Sequence, residues 1–354
     1  MTKETVIVPL QDLYAFVRRA FVGLGLSAEE AELCADGLVQ SELRGMAFQM
    51  QGVNRLRVYA DRIRGGLVTA QAPFEIVNDG AALALVDAHN GLGYAAATRA
   101  MRLAVSKAKL NGIGAVFVRH STHFGGAAVH ARRAVDGGCI GISMSNAGPE
   151  MAPWGGITPI LGTNPWAIAI PGDTPFPIVL DMAVTTSGKG TMMWLARQGL
   201  PMPIDYAITK DGENTTDPNA AMDGTLLPIG GPKGYGLSFM TDVMTGVMTG
   251  AAFGSALYKN PKAQDVGHLL MAIDVEWFMP RDEYNARLNA FVSEVQGSAL
   301  RPGVERIYMP GEIEHLREQK KRAEGVPLQR ADYEDLKKLA SEIPVEFGLE
   351  DNLA

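Results

Sequence analysis

The sequence predicts an α+β protein in which helices from both chain ends build one domain and a β-rich middle builds another. Three observations carry this. Helical patterns fill roughly the first 65 residues and return from Asp282 onward. Between them, starting at Phe74, short strand-like runs are separated by glycines. The chain of 354 residues is also long enough for about two domains of the usual ~100–200 residues each. The terminal domain is drawn as residues 1–72 with 306–354, and the middle one as 73–305.

Taken in order, Ser27 followed by Glu30 is a capping-box pattern that opens a helix running to about Glu42. A further helix is expected over Gln51–Arg64, stopped by Gly65-Gly66. The β-rich runs then span Phe74–Val77, Ala82–His89, Gly114–His120, Gly141–Asn146, Trp166–Pro171 and Pro177–Ala183. Helical patterns over Tyr94–Leu110 and Ala127–Val135 interrupt them. The Gly/Pro-dense stretch from Asn146 to Pro177 reads as ordered loops, because apolar residues are interleaved throughout. After Gly234 come an apolar helix and a strand over His268–Met279, and charged helices follow over Asp282–Val295, Glu312–Glu324 and Arg330–Ile343.

Composition narrows the function. A net charge of −7 leaves no excess of cations to neutralise phosphates, which argues against nucleic acid or a membrane surface as partner. Cys34 and Cys139 are the two cysteines, with no metal-ligand cluster around them, so neither a disulfide scaffold nor a metal site is expected. The segment MTKETVIVPLQDLY lacks the apolar run of a signal peptide, and no stretch of about 18 apolar residues occurs. A cytoplasmic enzyme acting on a small molecule fits this profile.

Gly91-Leu92-Gly93-Tyr94-Ala95-Ala96 matches the loose dinucleotide fingerprint, but the next strand ends in Arg119-His120 where an acid should hold the ribose. A glycine-rich strand-to-helix turn is the preferred reading there. Of six histidines, three lie in RHSTHFGGAAVHARRA. His123 sits in a turn between a strand and a helix, and imidazole suits the proton transfer that accompanies hydride transfer. The alternatives are a structural turn histidine at 123 and a packed or surface histidine at 130. Asp181 ends an apolar strand, where acids often face a site. The following Thr185-Thr186-Ser187-Gly188-Lys189 either serves phosphate oxygens or is only a polar turn. Gly230, Gly231, Gly234 and Gly236 bracket Lys233 before an apolar helix, the ingredients of an anion site. Met309-Pro310-Gly311-Glu312 by itself is a helix start. On a helix over Gln51–Arg64, Gln51 and Arg55 would share one face, and Arg55 could clamp a carboxylate or remain a solvated arginine.

In this order, HFG, NAGPEMAPWGG, LGTNP, VLDMA, TTDP, LLPIGGPKGYGL and MPGE resemble the malate/L-lactate dehydrogenase family of type 2, from about Asp36 to Leu328. That family is distinct from the Rossmann-type lactate dehydrogenases, and includes ureidoglycolate, sulfolactate and diketogulonate oxidoreductases and reductases of cyclic imino acids. The resemblance implies a non-Rossmann, mixed-sheet cofactor domain inserted in a discontinuous helical domain, and a homodimer with its site at the interface. It implies NAD or NADP held near His123, Asn146, Ala147, Asp181, Met182, Ala183, Thr185, Lys233, Gly234, Pro310, Gly311 and Glu312. It makes His123 the proton relay, with Asp181 nearby to orient a catalytic group.

One segment departs from the family pattern. Where the family has Arg-Gly, two residues, Ser-His-Gly and then a hydrophobic-x-Arg, this chain has Arg44-Gly45-Met46-Ala47-Phe48-Gln49-Met50-Gln51-Gly52-Val53-Asn54-Arg55. The run is two residues longer, and Gln51 replaces a histidine that donates the proton in several members. Glutamine hydrogen-bonds a carbonyl but delivers no proton near pH 7. Arg55 matches the family's carboxylate-binding arginine, and Arg57-Val58 replaces the usual Pro-Arg. The expected function is therefore hydride transfer between a nicotinamide dinucleotide and a small 2-oxo/2-hydroxy acid or cyclic imino acid. His123, Asp181 and Gln51 are the catalytic candidates, and Arg55 and Arg57 the substrate-binding ones. Two alternatives are an enzyme in which water or the substrate supplies the proton beside Gln51, and a dinucleotide-binding protein that has lost catalysis and acts as a sensor or interaction partner.

Overall fold

The computed structural model describes residues 5–350, 352 and 353. The chain opens with β1 (Thr5–Val8), α1 (Leu10–Gly23), α2 (Ala28–Leu43) and α3 (Leu56–Arg64). It continues through β2 (Glu75–Asp79), β3 (Leu83–Asp87), α4 (Gly93–Asn111), β4 (Ile113–Ser121), α5 (Ala127–Asp136), β5 (Cys139–Ser145), β6 (Trp166–Ile170) and β7 (Ile178–Met182). Next come α6 (Lys189–Gln198), β8 (Ala207–Ile208), α7 (Pro218–Met222), β9 (Thr225–Leu226), α8 (Pro232–Asp242) and β10 (Val266–Asp274). The last elements are α9 (Arg281–Gln296), α10 (Glu312–Glu324), β11 (Val326–Gln329), α11 (Arg330–Glu342) and β12 (Asn352–Leu353).

The protein is α+β. A seven-stranded sheet runs β2-β3-β4-β10-β5-β6-β7, and only the β3/β4 pair is parallel. Among the described residues no doubly wound parallel sheet is formed. β10 lies at the centre and is buried along most of its length, which is why HLLMAID reads as an almost continuous apolar run. α4 and α5 pack on the sheet through alanines, among them Ala97, Ala100, Ala104, Ala131 and Ala134, all fully buried. Small side chains permit close approach, and the strands answer with glycine. A Cβ on Gly114 or Gly141 would stand 2.1 Å from the Ala104 or Ala131 carbonyl oxygen.

The first helices and the C-terminal ones share a second core. Phe16, Phe21, Leu38 and Tyr59 pack in one cluster with Leu328, Tyr333, Leu336 and Leu339. The chain ends also pair as strands, β1 lying between β11 and β12, a small sheet that helical periodicity did not announce. Ser27 caps α2, its Oγ accepting the Glu30 N–H at 3.2 Å.

Two expected elements change. The helix expected over Gln51–Arg64 begins only at Leu56. Short 3-10 turns precede it, and Met50 takes a left-handed φ of 56°, so Gln51 and Arg55 do not share a helix face. The strand expected over His268–Met279 ends at Asp274, whose carboxylate accepts the Glu276 N–H at 3.2 Å and turns the chain into a 3-10 turn. The fingerprint-like turn at Gly91–Gly93 is a packing device. Thr122 Oγ1 accepts the Gly93 N–H at 3.1 Å, and Gly93 lies so close to the Thr122–His123 backbone that a Cβ would meet the Thr122 oxygen at 2.2 Å. That turn fills the space a pyrophosphate would need.

Candidate active site

The segment 45–55 is held from below by Glu42, a carboxylate only 2% exposed near the end of α2. It accepts the Val53 N–H at 3.2 Å and Lys321 Nζ of α10 at 3.0 Å. Gly52 lies against it so tightly that a Cβ would come within 2.1 Å of Oε2. Beside it, the guanidiniums of Arg44 and Arg132 face Glu318, at 3.7 and 3.4 Å. A folded loop is thereby fixed by buried charge rather than by helix propensity.

Arg55 stands at the N-cap of α3, so Arg55, Tyr59 and Arg62 follow at the four- and three-residue steps that stack side chains on one helix face. Arg55 Nη1 donates to the Met50 carbonyl at 3.0 Å, while its Nε is buried without a partner. Arg62 Nη1 is likewise buried and unpartnered. Among the described residues no carboxylate pairs with either guanidinium.

Tyr59 carries this face to His123. Its Oη lies 2.6 Å from His123 Nδ1, and the Gly125 N–H also reaches Nδ1 at 3.2 Å. A nitrogen that accepts a backbone N–H carries no proton, so Tyr59 donates to it and the ring proton sits on Nε2. Burial pushes the Tyr59 hydroxyl up to about 12. His123 is held well below the ordinary histidine range, by burial first and then by the charges of Arg55 and Arg62. The His123 N–H is anchored on Gln264 Oε1 at 3.0 Å. Below the turn, Phe124 stacks between His268 at 4.8 Å and His130 at 4.9 Å. His268 bonds Ser121 and Ser145, and His130 bonds the Phe124 carbonyl at 2.8 Å. Burial pulls these two imidazoles down to about 3 and about 4, so both are neutral packing groups.

Other expected residues stand differently. Asp181 does not bond His123; its Oδ2 accepts the Ala128 N–H at 3.1 Å, in the first turn of α5. Burial pushes its carboxyl up to about 6, against the pull of that N–H and of Arg44. Arg57 is turned away from the site. Its guanidinium pairs with Asp335 at 3.2 Å and Glu342 at 2.5 Å on α11, which uses the donors a substrate clamp would need. Gln51 Oε1 is buried and unpartnered.

The remaining residues form a line along the end of β7. Val184 N–H bonds the Thr163 carbonyl, and the Ile229 N–H bonds the Val184 carbonyl, so the turn after Asp181-Met182-Ala183 lies against Pro228–Gly234. A Cβ on Gly234 would meet the Val184 oxygen at 2.6 Å. The Val179 N–H bonds the Pro310 carbonyl at 2.9 Å, which brings Pro310 and Gly311 to the same strand. Thr185 Oγ1 is buried without a partner, and Lys233 stands exposed in the first turn of α8 after two left-handed glycines. Two side chains are already committed. Asn146 bonds Asp242, the Ala252 carbonyl and the Gly267 N–H, and the Ala147 N–H is taken by Asn164 Oδ1. Glu312 accepts the Met309 N–H at 2.9 Å and pairs with Arg306, so its carboxylate shapes the turn and offers nothing to a ligand.

Tyr59, Arg62, Glu150, Tyr258 and Gln264 escaped the sequence reading. Tyr59 and Arg62 were within reach, as the helical partners of Arg55. Glu150 was not: burial raises its carboxyl while Lys189 and Arg55 pull it back, a neighbourhood that joins three distant segments.

The profile of the family described as malate/L-lactate dehydrogenase matches residues 8–337. The malate dehydrogenase of Pyrococcus horikoshii is 38% identical over 350 residues, covering 96% of this chain and 96% of that protein. The NAD(+) ureidoglycolate dehydrogenase of Escherichia coli is 31% identical over 322 residues, covering 90% and 91%. The crystal structure of malate dehydrogenase from Entamoeba histolytica superposes with a TM-score of 0.93 at 32% identity, covering 97% of this chain and 99% of that one.

Proposed function

The chain belongs to the malate/L-lactate dehydrogenase family, and we propose that it moves a hydride between NAD or NADP and the C2 carbon of a small 2-hydroxy/2-oxo acid or cyclic imino acid. The observation that carries this is the face of α3: Arg55, unpaired by any described carboxylate, beside a tyrosine bonded to His123. A protein without catalysis is not favoured, since the relatives above are named as dehydrogenases and the proton-transfer pair is intact.

The dinucleotide fits the line along β7. An orphaned Thr185 hydroxyl and the exposed Lys233 ammonium are free to meet its phosphates, with Asp181, Met182, Ala183, Gly234, Pro310 and Gly311 shaping the wall. When bound, its nicotinamide supplies or accepts the hydride. Arg55 binds the substrate carboxylate and sets the orientation of C2. In reduction of an oxo acid, His123 Nε2–H gives its proton to the substrate oxygen while Tyr59 Oη returns one to Nδ1. The charge left on Tyr59 faces Arg55 and Arg62. Gln51 offers only a hydrogen bond.

We assign residues 1–72 and 306–354 to one domain and 73–305, with a non-Rossmann sheet, to the other. A homodimer fits the exposed apolar strip of Leu237, Phe239, Met240, Val247 and Met248, and a cytoplasmic setting fits the free thiols of Cys34 and Cys139.

Two expected results follow from these assignments. Lys233→Ala should weaken dinucleotide binding roughly 10- to 100-fold, as expected for loss of a charge-assisted contact; an unchanged Kd in a fluorescence titration removes Lys233 from the site. The reaction itself is tested by following nicotinamide absorbance with a panel of 2-oxo acids. Arg55→Lys should raise KM at least about 10-fold because the planar fork is lost. Normal turnover by that variant would place the carboxylate elsewhere.

A further inference from the structure

Arg62 is a second guanidinium on the same helix face, seven residues and about 10 Å of helix beyond Arg55. Its Nη1 is buried with no hydrogen-bond partner, and the groups that bear on it are Tyr258, Arg55 and Tyr59, with no carboxylate among them. By contrast Arg44, Arg57, Arg99, Arg119 and Arg132 each face an acidic side chain. A guanidinium partly withdrawn from water without a counter-charge is costly, and an anion that arrives from outside relieves that cost. Arg55 and Arg62 also raise each other's demand for one, because like charges on one face repel. One carboxylate satisfies one fork. Arg55 already spends one Nη on the Met50 carbonyl and has Glu150 bearing on it, so Arg62 is the guanidinium of this face with no acidic group bearing on it, and it asks for an anionic group of its own.

We propose that Arg62 is a specificity-determining residue, binding a second acidic group at the far end of the substrate and selecting dianionic 2-oxo or 2-hydroxy acids over monoanionic ones. This rests on the reading that Arg55 holds the C2 carboxylate. Both guanidiniums bear on the Tyr258 hydroxyl, a donor suited to the same anion.

The test uses the full chain with bound NAD or NADP. The kcat/KM ratio of oxaloacetate to pyruvate, two oxo acids that differ by one carboxylate, is compared in wild type, Arg62→Gln and Arg62→Lys. The ratio cancels any common effect on proton transfer. It should fall roughly 10- to 100-fold in Arg62→Gln, the range for a charge-assisted contact, with partial recovery in Arg62→Lys. In parallel, calorimetry of succinate and butyrate against the dinucleotide complex needs no turnover. Wild type should prefer succinate, and Arg62→Gln should erase that preference. An unchanged ratio, equal wild-type affinity for the two acids, or a selective loss of dinucleotide affinity in Arg62→Gln overturns the proposal, the last by giving Arg62 to a cofactor phosphate. If no oxo acid turns over while the Arg62-dependent preference for succinate persists, the reaction assignment fails and the anion site stands.

Discussion

Replacing His123 with alanine should lower kcat by at least about 10²-fold, the usual contribution of a positioned acid or base. Dinucleotide affinity should stay near wild type, because the imidazole's bonds run to Tyr59 and Gly125 within the turn. Tyr59→Phe is the sharper companion. It keeps the ring and its packing but removes the proton that replenishes Nδ1, so kcat should fall by a comparable factor with KM little changed. Stopped-flow measurement with saturating substrate reads both. Retention of most activity by either variant would move proton transfer to water or to the substrate.

The pH dependence follows from the same geometry. A histidine displaced well below its ordinary value by burial and by Arg55 and Arg62 is neutral across the physiological range. The neutral pair can give a proton to an oxo acid, so reduction should show no limb at the ordinary histidine pKa of about 6.5. Oxidation needs a pair that has lost a proton. That state becomes populated only toward alkaline pH, since the Tyr59 hydroxyl is pushed up to about 12, so oxidation should accelerate as pH rises. A bell centred on neutrality in both directions would contradict the tautomer assigned to His123.

Removing the Glu42 carboxylate should be the most damaging change to stability. Glu42→Ala leaves the Val53 N–H without its acceptor and Lys321 Nζ without its buried counter-charge. Breaking one partner of a buried pair typically costs about 3–5 kcal/mol. Denaturant titration should show a lower midpoint with an unchanged slope. Glu42→Gln, which keeps an acceptor for Val53, should cost less. Because the same carboxylate positions the loop leading to Arg55, the surviving folded Glu42→Ala enzyme should also show a raised KM. A stability loss below about 1 kcal/mol, within the range of an exposed ion pair, would show that the brace is relaxed in solution.

The departure of segment 44–55 from the family pattern and the presence of His123 were legible in the sequence, because residue identity alone decides which side chains carry a titratable proton. The strands of the seven-stranded sheet, the helices α4, α5, α10 and α11, and the α+β class were legible too, since apolar periodicity and turn residues are local signals. Where the local signal ran into buried charge, it misled. Helical spacing between Gln51 and Arg55 ignored that Glu42, from another element, and the left-handed Met50 hold the segment in 3-10 turns. Arg57 looked like a spare clamp until the fold set Asp335 and Glu342 beside it, some 280 residues on. Asn146 and Glu312 looked like ligand contacts until the fold used their side chains to tie strands and turns together. Side-chain identity fixes what a group is able to do. Whether it is free to do it depends on which long-range partners reach its donors and acceptors first, and those contacts, like the pairing of Tyr59 with His123, exist only once the chain has closed.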